Sequence, residues 1–170
     1  MSRKKNNSVF VGTSGYSYKD WLGNFYPQFC PEADYLRFYS SIFNTVEINA
    51  TYYRMPTVDM VKKWKKQTPD DFIFTAKFPS SVTHDGDIKS RIENAGAFID
   101  IIQNLEEKLG PLLMQFPYGF KPQDNYADIE KLVNSLPNNI KVALEVRNKK
   151  WLEPKFYDLL KNKNIVGIEE

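Results

Sequence analysis

Phe72-Ile73-Phe74-Thr75-Ala76-Lys77-Phe78 is the stretch on which the fold turns. Its side chains alternate, with Phe74, Ala76 and Phe78 on one side and Thr75 and Lys77 on the other. That period of two belongs to a strand with one apolar face. The alternation returns in three more segments. In 45–51, Val46, Ile48 and Ala50 oppose Glu47 and Asn49. In 112–116, Leu112, Met114 and Phe116 oppose Gln115, and in 141–147, Val142, Leu144 and Val146 oppose Glu145 and Arg147. Residues 8–13 and 165–169 complete six expected strands.

Helical spacing fills the gaps between them. Leu36, Tyr39 and Phe43 share one face of a helix over 33–43. Thr57 can cap a helix carrying Val58, Val61 and Trp64. After a long loop holding His84, Ser90-Arg91-Ile92-Glu93 has the form of a capping box. The helix it opens buries Ile92, Ala95, Ile99 and Ile102 and is ended by Gly110. Two more carry Ile129, Leu132 and Leu136, closed by Pro137, and Phe156, Leu159 and Leu160. Strand and helix alternate throughout, so the sheet is expected to be parallel.

Two parallel architectures compete. In a doubly wound open sheet the central strands are covered on both faces and read as unbroken apolar runs. These strands alternate instead, and their polar residues gather toward the carboxyl ends, where a (β/α)8 barrel turns side chains inward and builds its active site. The fold class expected is therefore α/β, of the TIM (β/α)8-barrel type. The spacing adds a constraint: 8–165 covers five repeats of about 31 residues, and eight need about 250, whereas the chain has 170. The expectation is an incomplete barrel of about five βα units plus a sixth strand. It occupies 8–170, behind a disordered basic tail over 1–7 that contains Arg3-Lys4-Lys5. Its open edges would call for a second fragment or another copy as cover.

Composition excludes other classes. Twenty-three basic and twenty-one acidic residues leave a net charge of +2, too small to imply nucleic acid or an anionic membrane by itself. The single cysteine, Cys30, forbids an intrachain disulfide and suits a reducing cytosol. Val9-Phe10-Val11 is too short for a signal-peptide core, and no run reaches the roughly 18 apolar residues of a spanning helix. A cytoplasmic protein without membrane contact is expected. With one histidine, His84, the chain has no polyhistidine zinc cluster, so a divalent cation held by carboxylate oxygens is the cofactor option. Walker A, HExxH and GxSxG patterns are absent.

The polar strand positions define a candidate site. Glu47 and Glu145 are candidate general bases or cation ligands. Lys77 and Arg147 suit a phosphate or carboxylate, and a desolvated Lys77 could form a Schiff base. Asn49 and Gln115 supply amides, and the alternative for the whole set is a self-compensating ionic layer. His84 is mounted where a proton-transfer residue would serve, or is an exposed loop histidine. Tyr52, directly after a strand, is placed to touch a ligand. Trp151 either roofs the same pocket or packs the next helix. Thirteen of twenty-five aromatic residues precede Arg54. Tyr16, Tyr18, Trp21, Phe25 and Tyr26 are read as a cluster that orders a long loop. Ser14 shows no neighbouring base.

Val11-Gly12-Thr13-Ser14-Gly15-Tyr16, Trp21, Phe25-Tyr26-Pro27, Thr45-Val46-Glu47-Ile48-Asn49 and Tyr52-Tyr53-Arg54-Met55-Pro56 together resemble the domain-of-unknown-function 72 family, also called YecE-like. Thr83-His84, Gln115-Phe116-Pro117 and Glu145-Val146-Arg147 with Trp151 add to the resemblance. It implies a TIM barrel whose last third has no counterpart here, and no established activity. It also implies site residues at Glu47, Asn49, Tyr52, Lys77, His84, Gln115, Glu145, Arg147 and Trp151. The function expected is acid/base chemistry on a small polar or anionic ligand, with Glu47, Lys77, His84 and Glu145 catalytic and Asn49, Tyr52, Gln115, Arg147 and Trp151 binding. Nucleic-acid binding or processing and a non-catalytic remnant are the alternatives.

Overall fold

The computed structural model describes residues 9–168. The basic tail expected over 1–7 lies outside the described residues. Among the described residues five strands form one sheet: β1 (Thr45–Ile48), β2 (Ile73–Lys77), β3 (Leu109–Phe116), β4 (Val142–Val146) and β5 (Val166–Ile168). All pair in parallel, and their spatial order is their chain order. The order never reverses, as it does in a doubly wound sheet.

The helices are α1 (Tyr35–Ser40), the single turn α2 (Ala50–Tyr53), α3 (Val58–Gln67), the single turn α4 (Ser80–Thr83), α5 (Ile88–Ile102), α6 (Pro122–Ser135) and α7 (Pro154–Asn162). Strand alternation has the expected consequence. Val46, Ile48, Phe74, Ala76, Leu112, Met114, Phe116, Val142 and Leu144 are buried in one core with Val61, Ala95, Phe98, Ile129 and Leu160 from the helices. Burying each Val, Leu or Phe is worth about 1.5–3 kcal/mol, which fixes the sheet's orientation. Glu47, Thr75, Lys77, Leu113 and Gln115, on the opposite face, are only half-buried.

Five local expectations need correction. The segment 9–13 forms no strand. Its Val11 N–H donates to Asn44 Oδ1 at 2.8 Å and its Val9 carbonyl accepts from Asn44 Nδ2 at 2.9 Å, so a side-chain amide takes the place of a ladder neighbour. The Thr13 N–H turns to the Tyr39 hydroxyl at 2.7 Å. Only a single bridge, Ser14 to Glu47, joins this segment to β1. The expected strand over 45–51 ends at Ile48, because α2 begins at Ala50.

The loop before His84 contains α4, with His84 at its carboxyl end. α5 begins before the expected capping box: Asp87 is the cap, its carboxylate accepting from the Ser90 N–H at 2.8 Å. Starting there places Ile88 and Ile92 against the core at i,i+4 spacing. Gly110 does not end that helix; it lies inside β3, where the register against β2 shifts.

The early aromatic residues form the expected cluster. Tyr26 stacks on Tyr35 with centroids 4.2 Å apart, and Trp21 and Phe25 meet edge to face at 5.2 Å. The Tyr26 hydroxyl donates to the Tyr16 carbonyl at 2.5 Å, and burial holds this phenol well above its usual pKa range.

Candidate functional site

Among the described residues, two cavities on the half-buried face of the sheet bear on the expected site. One, about 740 Å³, lies over the amino ends of the strands and is bounded by Gly12, Thr45, Ile73, Leu109 and Lys141 among others. The second, about 260 Å³, lies at the carboxyl ends. It is walled by Asn49, Tyr52, Tyr53 and His84 on one side and by Lys77, Gln115 and Arg147 on the other. Six of the nine expected site residues thus share one cavity.

Strand register brings the polar groups together. Gln115 of β3 pairs with Glu145 of β4, and Lys77 of β2 pairs with Leu113, two residues before Gln115. The Lys77 ammonium donates to Gln115 Oε1, and Gln115 Nε2 donates to Glu145 Oε1 at 2.5 Å. Arg147 Nε lies 3.5 Å from the same carboxylate oxygen. Glu145 is only 5% exposed, so its charge depends on these partners. The chain runs cation, amide, anion, cation across three strands.

Tyr52 and His84 close the cavity from above. The Thr51 hydroxyl lies 2.8 Å from the Ile48 carbonyl and 2.6 Å from the Lys77 carbonyl, pinning α2 to the ends of β1 and β2. That holds the Tyr52 ring 4.7 Å from the Lys77 ammonium, in cation–π range. His84 meets Tyr52 nearly edge-on, with centroids 5.3 Å apart, and its Nδ1 is 2.8 Å from the hydroxyl of buried Thr83. Burial is the main cause holding the His84 pKa below its ordinary value. Lys77, Arg91 and Arg147 add to the effect and Asp85 opposes it. The imidazole is therefore mainly neutral at pH 7.

Two expected residues stand elsewhere. Glu47 faces the larger cavity, and its Oε1 accepts from Ser14 Oγ at 2.7 Å. Ser14 Oγ in turn accepts from Asn49 Nδ2, so Glu47 reaches the carboxyl-end cavity only through that relay. Ser14 therefore does have a neighbouring carboxylate, brought from 33 residues away by the bridge to β1, and no local motif announces it. Trp151 lines neither cavity. It is 1% exposed, its indole N–H donates to the Phe120 carbonyl at 2.7 Å, and its ring packs on Phe120 and Phe156. Of the two roles open to it, packing is the one it fills. Thr51 and Thr83, which orient Tyr52 and His84, were not anticipated; both are buried hydroxyls immediately before a site residue.

Among the described residues no three of His, Cys, Asp and Glu converge to hold a metal ion. No helix there is long and apolar enough to cross a membrane.

Comparison with known proteins finds relatives over most of the described residues. The profile of the family described as "Protein of unknown function DUF72" matches residues 10–168. UPF0759 protein YecE of Escherichia coli K12 is 29% identical over 142 residues, covering 82% of this chain and 48% of that protein. UPF0759 protein YunF of Bacillus subtilis 168 is 31% identical over 157 residues, covering 88% and 54%. Among solved structures, a DUF72 family protein from Thermotoga maritima superposes with a TM-score of 0.75 at 35% identity, over 93% of this chain and 63% of that one. One from Enterococcus faecalis gives 0.76 at 26% identity, over 94% and 60%. The chain spans about half the length of the curated relatives it matches.

Proposed function

The chain belongs to DUF72, a family of proteins of unknown function, and we propose that it holds a small polar, anionic ligand at the carboxyl ends of its strands for acid/base chemistry. The observation that carries this reading is the convergence of Lys77, His84, Gln115 and Arg147 on one cavity from four separate segments. Lys77 and Arg147 bind the ligand's negative charge, Arg147 with its planar fork and Lys77 as a point charge. A neutral imidazole beside them suits a base that takes a proton from the ligand, while the Lys77 ammonium stabilises the charge left behind. Glu145 and Gln115 are positioning residues that fix Lys77 and Arg147. Glu47, on the other cavity, has no direct part.

The sheet itself we read as that of a (β/α)8-type barrel. In support stand its sequential strand order and its division into a helix-covered apolar face and a polar face with the site at the carboxyl ends. A cytosolic setting belongs to the same reading, supported by a chain whose one cysteine is free.

The test is a titration with small carboxylates, followed by NMR at the His84 ring and the Gln115 side-chain amide. Saturable shifts at both, lost in Lys77→Met, are expected. If the panel moves neither group, the reading is wrong.

A further inference from the structure

Next to the candidate site lies a second cleft, of about 470 Å³, lined by Tyr118, Lys121, Arg147, Asn148, Lys149 and Lys150. Four of these six residues are cationic and none is acidic. Arg147 walls both cavities, so the cleft continues the site beyond the guanidinium.

Its walls are tied together. Asn148, 4% exposed, donates from Nδ2 to the Tyr118 carbonyl at 2.9 Å, and its Oδ1 accepts from the Lys150 N–H at 3.1 Å. Trp151 makes a parallel link to Phe120. The loop after β3, bearing Tyr118 and Lys121, is thus joined through buried groups to the loop after β4, bearing Lys149 and Lys150. Among the described residues, Lys121, Lys149 and Lys150 make no salt bridge to a carboxylate. The three lysines, gathered on a fixed frame with no carboxylate paired to them among the described residues, form a site that an anion would complete.

Size points the same way. The carboxyl-end cavity, about 260 Å³, is small beside the roughly 300–1,000 Å³ of typical small-molecule sites. The two volumes on either side of Arg147 together fall within that range. We propose that the ligand carries a phosphate group, and that Lys121, Lys149 and Lys150 hold this group together with Arg147 while the ligand's polar body lies toward Lys77 and His84. The inference rests on the proposed function for that body. It adds the ligand class, a phosphate ester. A dianionic phosphate has three acceptor oxygens to share among several cations, which a carboxylate does not.

The experiment is a backbone-amide NMR titration of the full chain with inorganic phosphate at low ionic strength, with acetate as the control anion. Phosphate is expected to shift the amides of Tyr118, Lys121, Asn148, Lys149 and Lys150 saturably, and acetate to do so much more weakly. In Lys149→Glu/Lys150→Glu the affinity is expected to fall by about tenfold or more, as loss of one charge-assisted contact allows. Lys62→Glu/Lys66→Glu, on exposed positions of α3, carries the same change of net charge and is expected to leave the affinity unaltered.

Three results overturn the inference. One is the absence of a saturable phosphate shift at these amides. Another is equal weakening by both double variants, which marks a diffuse potential. The third is a single-stranded oligonucleotide that binds more tightly with each added nucleotide and that phosphate does not displace, which marks a nucleic-acid surface. Phosphate failing at the rim while carboxylates still move His84 and Gln115 overturns this inference alone. Silence at His84 and Gln115 with a normal rim response overturns the proposed function instead.

Discussion

Replacing Gln115 by leucine removes the one group that joins the two halves of the site. The amide accepts from Lys77 and donates at 2.5 Å to Glu145, and leucine does neither. A hydrogen bond to a charged partner contributes about 1.5–3 kcal/mol, but the two losses are unequal. Lys77 is half-buried beside an open cavity, so water and the Tyr52 ring replace much of what it loses. Glu145, at 5% exposure, keeps only Arg147 at 3.5 Å, and stranding a buried charge costs about 3–5 kcal/mol when no partner remains. With Arg147 still present, we expect Gln115→Leu to cost about 3 kcal/mol at pH 7. For a chain of this size the urea m-value is about 2 kcal/mol/M, so the unfolding midpoint falls by about 1.5 M. Glu145→Leu in the same background removes the stranded charge. The double variant is therefore expected to recover at least about 1 kcal/mol relative to additivity. Urea unfolding of the two single variants and the double, followed by circular dichroism, measures every corner of this cycle. A loss below about 1 kcal/mol, or strict additivity, would refute the claim that the amide carries the network.

The His84 imidazole, titrated by NMR at Cε1–H, is expected to show a midpoint below its ordinary 6.5 because burial disfavours its charged form. The unfolded chain then takes the proton more readily. His84 stabilisation is full above pH 6.5 and is lost as pH falls through the lower folded value; His84→Gln flattens that slope, and a midpoint at or above 6.5 contradicts the burial argument. Lys108→Met is expected to cost about 3 kcal/mol, read from the urea midpoint. The buried ammonium of Lys108 caps the end of α3 through the Lys65 and Thr68 carbonyls at 2.8 and 2.7 Å, and methionine takes this charged donor from both, leaving the Lys65 carbonyl only the Thr68 hydroxyl at 3.3 Å. Gly12→Ala puts a methyl group 2.0 Å from the Thr45 carbonyl oxygen. The segment must move, so amide exchange at Gly15 and Glu47, bonded across the bridge to Glu47 and Thr13, is expected to accelerate while the core amides of β3 do not change.

Much of the site was legible because its signal is short-ranged. A period of two in 72–78, 112–116 and 141–147 assigns Lys77, Gln115 and Glu145 to one face whatever the rest of the chain does, and the burial of Phe74, Met114 and Leu144 on the other face follows. What escaped reading depends on groups brought in from far along the chain. Nothing near 9–13 announces that the Asn44 amide will occupy its backbone partners, and the segment itself has ordinary strand character. Trp151 is four residues past Arg147 and in sequence looks tied to it; its burial comes instead from Phe120, 31 residues earlier. Ser90 and Glu93 do have the capping-box form, yet the cap is Asp87, three residues earlier, because starting there sets Ile88 against the core. Glu47 shares the polar face with Lys77, yet alternation specifies the face and not the height along it. The same face carries two cavities, and Glu47 belongs to the one at the amino ends.

Height along the face is set by register, and in this sheet register turns on one irregularity. Phe74 pairs with Leu109 but Ala76 pairs with Leu112, so two residues of β2 advance against three of β3. The extra residue falls at Gly110-Pro111, where proline has no N–H to give the ladder and glycine has no Cβ to collide. A Cβ on Gly110 would lie 2.7 Å from Ile73 Cγ2 and 2.9 Å from the Phe74 carbonyl oxygen. Without the bulge, Lys77 would stand opposite Leu112, and the alternation of β3 would be out of step with that of β2. Gln115 would then turn toward the helices and Phe116 toward the cavity, since a shift of one residue reverses every side chain. The bulge makes Leu112, Met114 and Phe116 coplanar with Phe74 and Ala76 and aims Gln115 between Lys77 and Glu145. The amide is suited to that place because it accepts at one end and donates at the other. A carboxylate there would face Glu145 and an ammonium would face Lys77. The polarity of the site, cation on β2 and anion on β4, thus follows from a backbone insertion near the opposite end of β3.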